Sequence, residues 1–141
     1  MKSLFIDDPK EQRGIHCRFG MKSVIAEAHF DASRNMIAML GGLRRILLAP
    51  PASCPNLYLL PLKHPSGRHS SIDWSNYTLT SHPLFAQVQG LEVILQPGDV
   101  LYLPTFWIHY IVSLTVNFQC NTRSGMSEEN KRVMADCGFK T

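Results

Sequence analysis

Residues 97–110 read PGDVLYLPTFWIHY, and the run continues through IVSLTVNFQ to residue 119. The Pro97-Gly98 pair suits the two central positions of a type II turn, where Pro presets φ and Gly accepts φ > 0. Asp99–Leu103 is then a short apolar strand, Pro104 breaks it, and residues 107–112 and 114–119 form two more. Strands this short, separated by Pro and Gly, indicate a barrel or a sandwich rather than a helical bundle.

The same rhythm extends outward toward the N-terminus. Residues 15–19, 23–30, 35–40, 44–48, 57–60 and 91–95 are short apolar runs, punctuated by Gly20, Gly41-Gly42, Pro50-Pro51, Pro55 and Gly90. The stretch from Ala52 to Gln89 differs, being rich in Pro, Ser, His and Asn, and reads as a long excursion of the kind that often carries function. A short helix at residues 83–89 is expected to return the chain to the barrel. The tail reads as a second helix, with Ser127 as its cap, Glu128 and Glu129 in its first turn and Gly138 as its stop. The expected organisation is therefore a barrel over residues 1–125 and a helical tail over 126–141. That tail could pair with a second copy, giving a homodimer, or lie across the end of the barrel.

Composition excludes several classes. The 141 residues suffice for one domain with a core, and 45% hydrophobic with 18% charged residues is ordinary globular usage. No apolar run approaches the roughly 18–20 residues that span a bilayer, so no membrane role is expected. MKSLFIDDPK is too weakly apolar for a leader. A net charge of +3 without a dense Lys/Arg block gives no sign of nucleic-acid binding. Cys17, Cys54, Cys120 and Cys137 lie far apart with no Cys-x-x-Cys pair, which leads to an expectation of free thiols in a reducing compartment, cytoplasmic or nuclear.

His29-Phe30-Asp31 carries the chemistry. On a strand, residues i and i+2 share a face, so the imidazole and the carboxylate would project together into the barrel while Phe30 turns away. Alone, such a pair reads equally as a hydrogen-bonded His and Asp. A histidine 80 positions on, His109, sits among Trp107, Ile108 and Tyr110 and reads alone as a core residue. If an antiparallel barrel brings these strands side by side, the three complete a 2-His-1-carboxylate set, the arrangement that holds non-haem Fe(II) with open coordination positions. In the excursion, His64, Arg68, His69 and Asp73 offer a second polar cluster, read as a loop whose Arg68 and Asp73 bond the backbone. Trp74 and Tyr77 either wall an entrance or seal a core.

HFDASRN, LGGLRRILLAPP, HPSGRHSSIDWSN and QPGDVLYLPTFWIHYIVSL followed by VNF, in this order over roughly residues 20–120, resemble the JmjC/cupin-like 2-oxoglutarate oxygenases, and among them the asparaginyl hydroxylases most. The resemblance implies a mainly β fold, a double-stranded β-helix (the cupin or jelly-roll barrel) with a short C-terminal helix. It also implies Fe(II) and 2-oxoglutarate as cofactors, and an oxygenase that hydroxylates a protein or peptide side chain while releasing succinate and CO2. By position His29, Asp31 and His109 match the iron ligands, and Asn35 and Asn117 match two cosubstrate-pocket asparagines. Arg44 stands where the family has a lysine for the distal carboxylate of 2-oxoglutarate. Since neighbours on a strand face opposite ways, only one of Arg44 and Arg45 can enter the barrel.

The chain also departs from the family pattern. Ala26 replaces a hydroxyl residue, and 28 residues precede His29 where the family has a substantial region. These departures keep open a cupin-like binding module or pseudoenzyme that retains a metal without 2-oxoglutarate turnover. A metal-dependent enzyme of another reaction type also stays open. An apolar shell is expected from Ile37, Met39, Leu101, Leu103, Ile111 and Val116. Groups behind the two imidazoles are expected to fix their ring nitrogens, with Glu27 or Ser113 as unranked candidates.

Overall fold

The computed structural model describes residues 13–140. The opening segment, on which the reading of the N-terminus rested, lies outside the described residues. Eight strands run β1 (Ile15–Gly20), β2 (Ile25–Phe30), β3 (Arg34–Gly41), β4 (Arg44–Ala49), β5 (Leu91–Leu95), β6 (Val100–Leu103), β7 (Ile108–Ser113) and β8 (Asn117–Ser124), followed by helix α1 (Glu128–Asp136). They form two four-stranded sheets, ordered β1-β8-β3-β6 and β2-β7-β4-β5. Every strand pairing is antiparallel. Successive strands alternate between the sheets except at β4 to β5, where the excursion intervenes. The fold is the expected double-stranded β-helix with one short C-terminal helix.

Side-chain alternation builds its interior. Ile37 and Met39 of β3 and Leu103 of β6 meet Ile46 and Leu48 of β4 and Leu95 of β5, so the inner faces of both sheets share one core. A second core lies where the excursion packs. There Phe30, Ala49, Leu57, Ile72, Trp74, Phe106, Ile108 and Tyr110 join Met134 and Phe139 of the tail. Strand β7 is covered on both faces, which explains its nearly unbroken apolar run. Of the expected shell, Ile37, Met39 and Leu103 are buried, but Val116 is exposed.

Local signals hold at several points. Gly98 takes φ 96° and Asp99 N–H donates to the Gln96 carbonyl (3.0 Å), closing the Pro97-Gly98 turn. Ser127 Oγ accepts from Asn130 N–H, and Gly138 at φ 94° ends α1. Phe139 N–H returns to the Met134 carbonyl there, a Schellman closure. The buried Met134 places the apolar side of α1 on the chain's own core.

Three structural expectations need correction. Residues 57–60 are not a sheet strand: Tyr58 takes φ 49°, and Leu59 makes only a single bridge to Ser70 within the excursion. The helix expected at 83–89 is a 3₁₀ segment, Pro83–Gln87. The cysteines are not free. Cys17 of β1 bonds Cys120, its direct partner on β8, and Cys54 bonds Cys137 beyond α1. Separations of 103 and 83 residues hide such pairs from any reading of spacing, and the topology alone brings them together. The expectation of a reducing compartment loses its basis, since disulfides persist where conditions oxidise. Among the described residues no helix is long and apolar enough to cross a membrane.

Candidate metal centre

Strands β2 and β7 are neighbours, and their register sets His29 directly opposite His109. A bulge between Ala26 and His29 adjusts the pairing at this point. The two rings lie 4.4 Å apart at 52°. Asp31 follows the end of β2, its carbonyl fixed by Phe106 N–H at 2.8 Å. Phe30 points the other way into the second core, as the period of two requires. One ligand atom from each of His29, Asp31 and His109 lies within 4.8 Å of the others.

The histidines are prepared for this task. His29 Nδ1 contacts the Glu27 carbonyl at 2.7 Å, and His109 Nδ1 contacts the Trp107 carbonyl at 3.0 Å. A carbonyl only accepts, so Nδ1 carries the proton in both rings and the lone pair stays on Nε2. Glu27 thus anchors one ring through its backbone. Ser113 does not anchor the other ring, whose Nδ1 is committed to the Trp107 carbonyl. Burial holds the His29 imidazolium below its ordinary pKa. Burial, reinforced by His29, pushes His109 down to about 4. Both rings are neutral at pH 7, the form that binds a metal.

Asp31 is held from two sides. Arg123 Nη2 of β8 reaches one carboxylate oxygen at 2.6 Å, and Arg68 Nη1 of the excursion reaches the other at 3.4 Å. Arg68 also donates to the Phe30 carbonyl at 2.9 Å, and Asp73 accepts from Ser75 N–H, so both loop residues bond the backbone as expected. His69 stacks on His29 with centroids 5.0 Å apart but lies outside the donor cluster. His64 accepts from Ser66 N–H. Trp74 packs on Tyr110 and Phe85, sealing the core away from this centre.

A cavity of about 250 Å³ opens between the sheets, and His29, Asp31 and His109 line it together with Ala26, Arg44 and Asn35. Arg44 is therefore the inward member of the arginine pair. Arg45 turns outward to Glu92 at 2.5 Å. Arg44 Nε donates to Asn117 Oδ1 at 2.6 Å, and burial, with Arg18 nearby, lowers its pKa. Asn35 Oδ1 accepts from Asn121 on the cavity wall. Asn117 stands behind Arg44 and donates to the Gly20 and Thr115 carbonyls.

Sequence reading missed Arg18, Gln119, Asn121 and Arg123, which also line the cavity. A signal existed: along β8, Asn117, Gln119, Asn121 and Arg123 occupy every second position, and the first three are buried. Polar residues on the inward period of a barrel strand mark a polar interior. Gln119 Oε1, Asn121 Oδ1 and Arg123 Nε are buried without a partner. Orphaned polar atoms on the wall of a cavity call for a polar occupant. Two imidazoles and a carboxylate beside a half-buried guanidinium fit a divalent metal together with an anionic cosubstrate.

Comparison with known proteins follows the same line. The family described as a cupin-like domain matches residues 3–128. The chain is 28% identical over 129 residues to Lysine-specific demethylase JMJ31 of Arabidopsis thaliana, covering 86% of this chain and 24% of that protein. It is 34% identical over 102 residues to Jumonji C domain-containing protein 5 of Drosophila melanogaster, covering 70% and 24%. It is also 34% identical over 86 residues to tRNA wybutosine-synthesizing protein 5 of Gallus gallus, covering 60% and 25%. The chain spans about a quarter of the length of these relatives.

Proposed function

Because the chain belongs to the cupin-like domain family, we propose that it is an Fe(II)- and 2-oxoglutarate-dependent oxygenase that hydroxylates a side chain of a protein or peptide. The observation that carries this reading is the convergence of His29, Asp31 and His109 to within 4.8 Å, with both Nδ1 atoms already committed to carbonyls. When bound, the metal and cosubstrate supply O2 activation coupled to oxidation of 2-oxoglutarate to succinate and CO2.

The chain's own residues do the rest. His29 and His109 present Nε2, and the carbonyls behind them keep the rings from rotating. Arg44 offers its terminal N–H groups to the distal carboxylate, while Asn117 holds Nε and so sets the plane of the fork. Asn35 and Asn121 complete a polar wall. Ile37 and Ile111 bring apolar surface to the cavity and limit water there. The named relatives include a lysine demethylase and a protein of tRNA modification, so the residue modified is not set by kinship.

A second reading, a metal-holding cupin-like module without turnover, is favoured by two observations. Ala26 lines the cavity without a hydroxyl, and both Asp31 oxygens already face arginines. One experiment separates the two. Anaerobic protein is titrated with Fe(II) and then with 2-oxoglutarate, and succinate is measured after admitting O2. The oxygenase reading expects a metal-to-ligand charge-transfer band on adding 2-oxoglutarate, followed by succinate. Iron binding with an unchanged spectrum and no succinate would overturn it in favour of the module.

A further inference from the structure

Outside the metal cavity, on the Asp31 side, lies a vestibule of about 460 Å³. It shares Asp31 and Arg123 with the inner cavity, so the two spaces meet at the metal-ligand carboxylate. Among the described residues lining it, Arg13, Arg68 and Arg123 carry positive charge and Asp31 is the single carboxylate, paired with Arg68 and Arg123. That excess of positive charge grows when a divalent cation engages Asp31. The fold holds the backbone of Arg13 and the side chains of Arg68 and Arg123. Arg13 N–H donates to the Arg123 carbonyl at 3.1 Å, tying the approach to β1 onto β8. Arg68 is fixed at φ 74° with Nη1 on the Phe30 carbonyl. Arg123 gives Nη2 to Asp31, and its buried Nε has no partner.

We propose that this vestibule binds a carboxylate side chain of an acidic peptide substrate, placing a neighbouring residue over the metal. The inference deepens the oxygenase reading and rests on it for the metal. Guanidinium forks match carboxylate geometry, and three arginines lining one open vestibule exceed what Asp31 can neutralise. A polynucleotide fits less well. Tracking a phosphodiester backbone needs a basic groove, whereas the flank of this vestibule is Ala32, Gly125 and Met126 and the whole chain carries only +3.

The test is fluorescence anisotropy of the full chain, with and without saturating Mn(II), against three labelled probes: a tetraglutamate peptide, a tetralysine peptide and tetrauridylate RNA. The acidic peptide is expected to bind at least about tenfold more tightly than the basic one, and more weakly as salt rises. Mn(II) should strengthen it by drawing Asp31 away from Arg68 and Arg123. Arg13→Gln and Arg68→Gln are each expected to weaken it about tenfold, and Arg45→Gln not at all. Arg68 also supports the Phe30 carbonyl, so Arg13→Gln, with recovery in Arg13→Lys, provides the variant free of that structural role. Equal binding of the basic peptide, tighter binding of the RNA, or indifference to both glutamine variants would overturn the proposal. Electron paramagnetic resonance of Mn(II) is read in parallel. Failure to bind manganese counts against the metal reading alone, because the unloaded protein still reports on the vestibule.

Discussion

Asp31 is the residue on which the proposed centre turns, because it is both the carboxylate of the candidate ligand set and the counter-charge to Arg68 and Arg123. Asp31→Ala is expected to abolish Fe(II) binding at micromolar metal, whereas His69→Ala, which removes a stacked ring and a local bond to the Gly67 carbonyl, should change affinity by less than about threefold. Equilibrium dialysis of both variants checks this, and a reversed order would mean the metal sits elsewhere. The arginine pair gives a parallel contrast. Arg44→Met is expected to raise the 2-oxoglutarate requirement by about tenfold or more, and Arg45→Met to leave it unchanged, since Arg45 meets only Glu92 on the surface. Equal effects would refute the inward assignment. The histidines also make the metal-free protein acid-sensitive. Their folded-state pKa values lie below the unfolded 6.5, so the unfolded chain binds more protons once pH drops below that value. Stability is full above about pH 6.5 and falls toward pH 4, by at most about 3 kcal/mol from His109. Urea unfolding across this range reads the loss, and a metal-saturated sample should show less of it.

At the scale of elements, the sequence was legible where period and chemistry coincide. His29 and Asp31 could be assigned to one face because a strand alternates, and the Pro97-Gly98 turn because its third position needs φ > 0, which Gly98 takes without strain. The direction in which Arg44 or Arg45 points could not be read, since both positions are polar and only the pairing of β4 with β7 settles it. Arg123 escaped notice because its importance comes from β8 crossing beside β2's end, a contact across 92 residues. Residues 57–60 carried a strand's composition, but no sheet edge receives them. The tight packing of β3–β4 against β7–β8 also yields a prediction. Gly42 sits at φ 72°, and a Cβ there would lie 2.1 Å from the Val116 carbonyl oxygen. Gly42→Ala is expected to cost more than about 2 kcal/mol, from left-handed strain together with a backbone clash. Chemical denaturation would show it, and a neutral result would mean the turn between β3 and β4 can move away from β8.

For the molecule as a whole, two covalent links close the structure at opposite places. Cys17–Cys120 fastens the edge strand β1, which carries Arg18 and Gly20 of the cavity region, to β8, the strand bearing the polar wall. Cys54–Cys137 fastens the end of α1 to the 3₁₀ segment after β4 (Pro51–Asn56), beside Met134 and Phe139 in the second core. Because each link closes a loop of 103 or 83 residues, it restricts the unfolded chain strongly. Loss of either is expected to cost about 2–4 kcal/mol. The two losses should nonetheless differ in kind. Cys54→Ser with Cys137→Ser removes a brace from the second core and should lower the urea midpoint while leaving metal affinity nearly unchanged. Cys17→Ser with Cys120→Ser frees an edge strand held otherwise by its ladder to β8 and by the Phe19–Phe118 stack and the Asn117–Gly20 bond. It should therefore lower the midpoint and also weaken 2-oxoglutarate binding, because Gly20 accepts from the Asn117 amide that holds Arg44. Measuring the midpoint and 2-oxoglutarate affinity on both double variants, with the unmodified chain in reductant as a third sample, decides the matter. If reductant leaves the midpoint of the unmodified chain unchanged, the cysteines are not paired in solution and the chain is held together by its sheets alone.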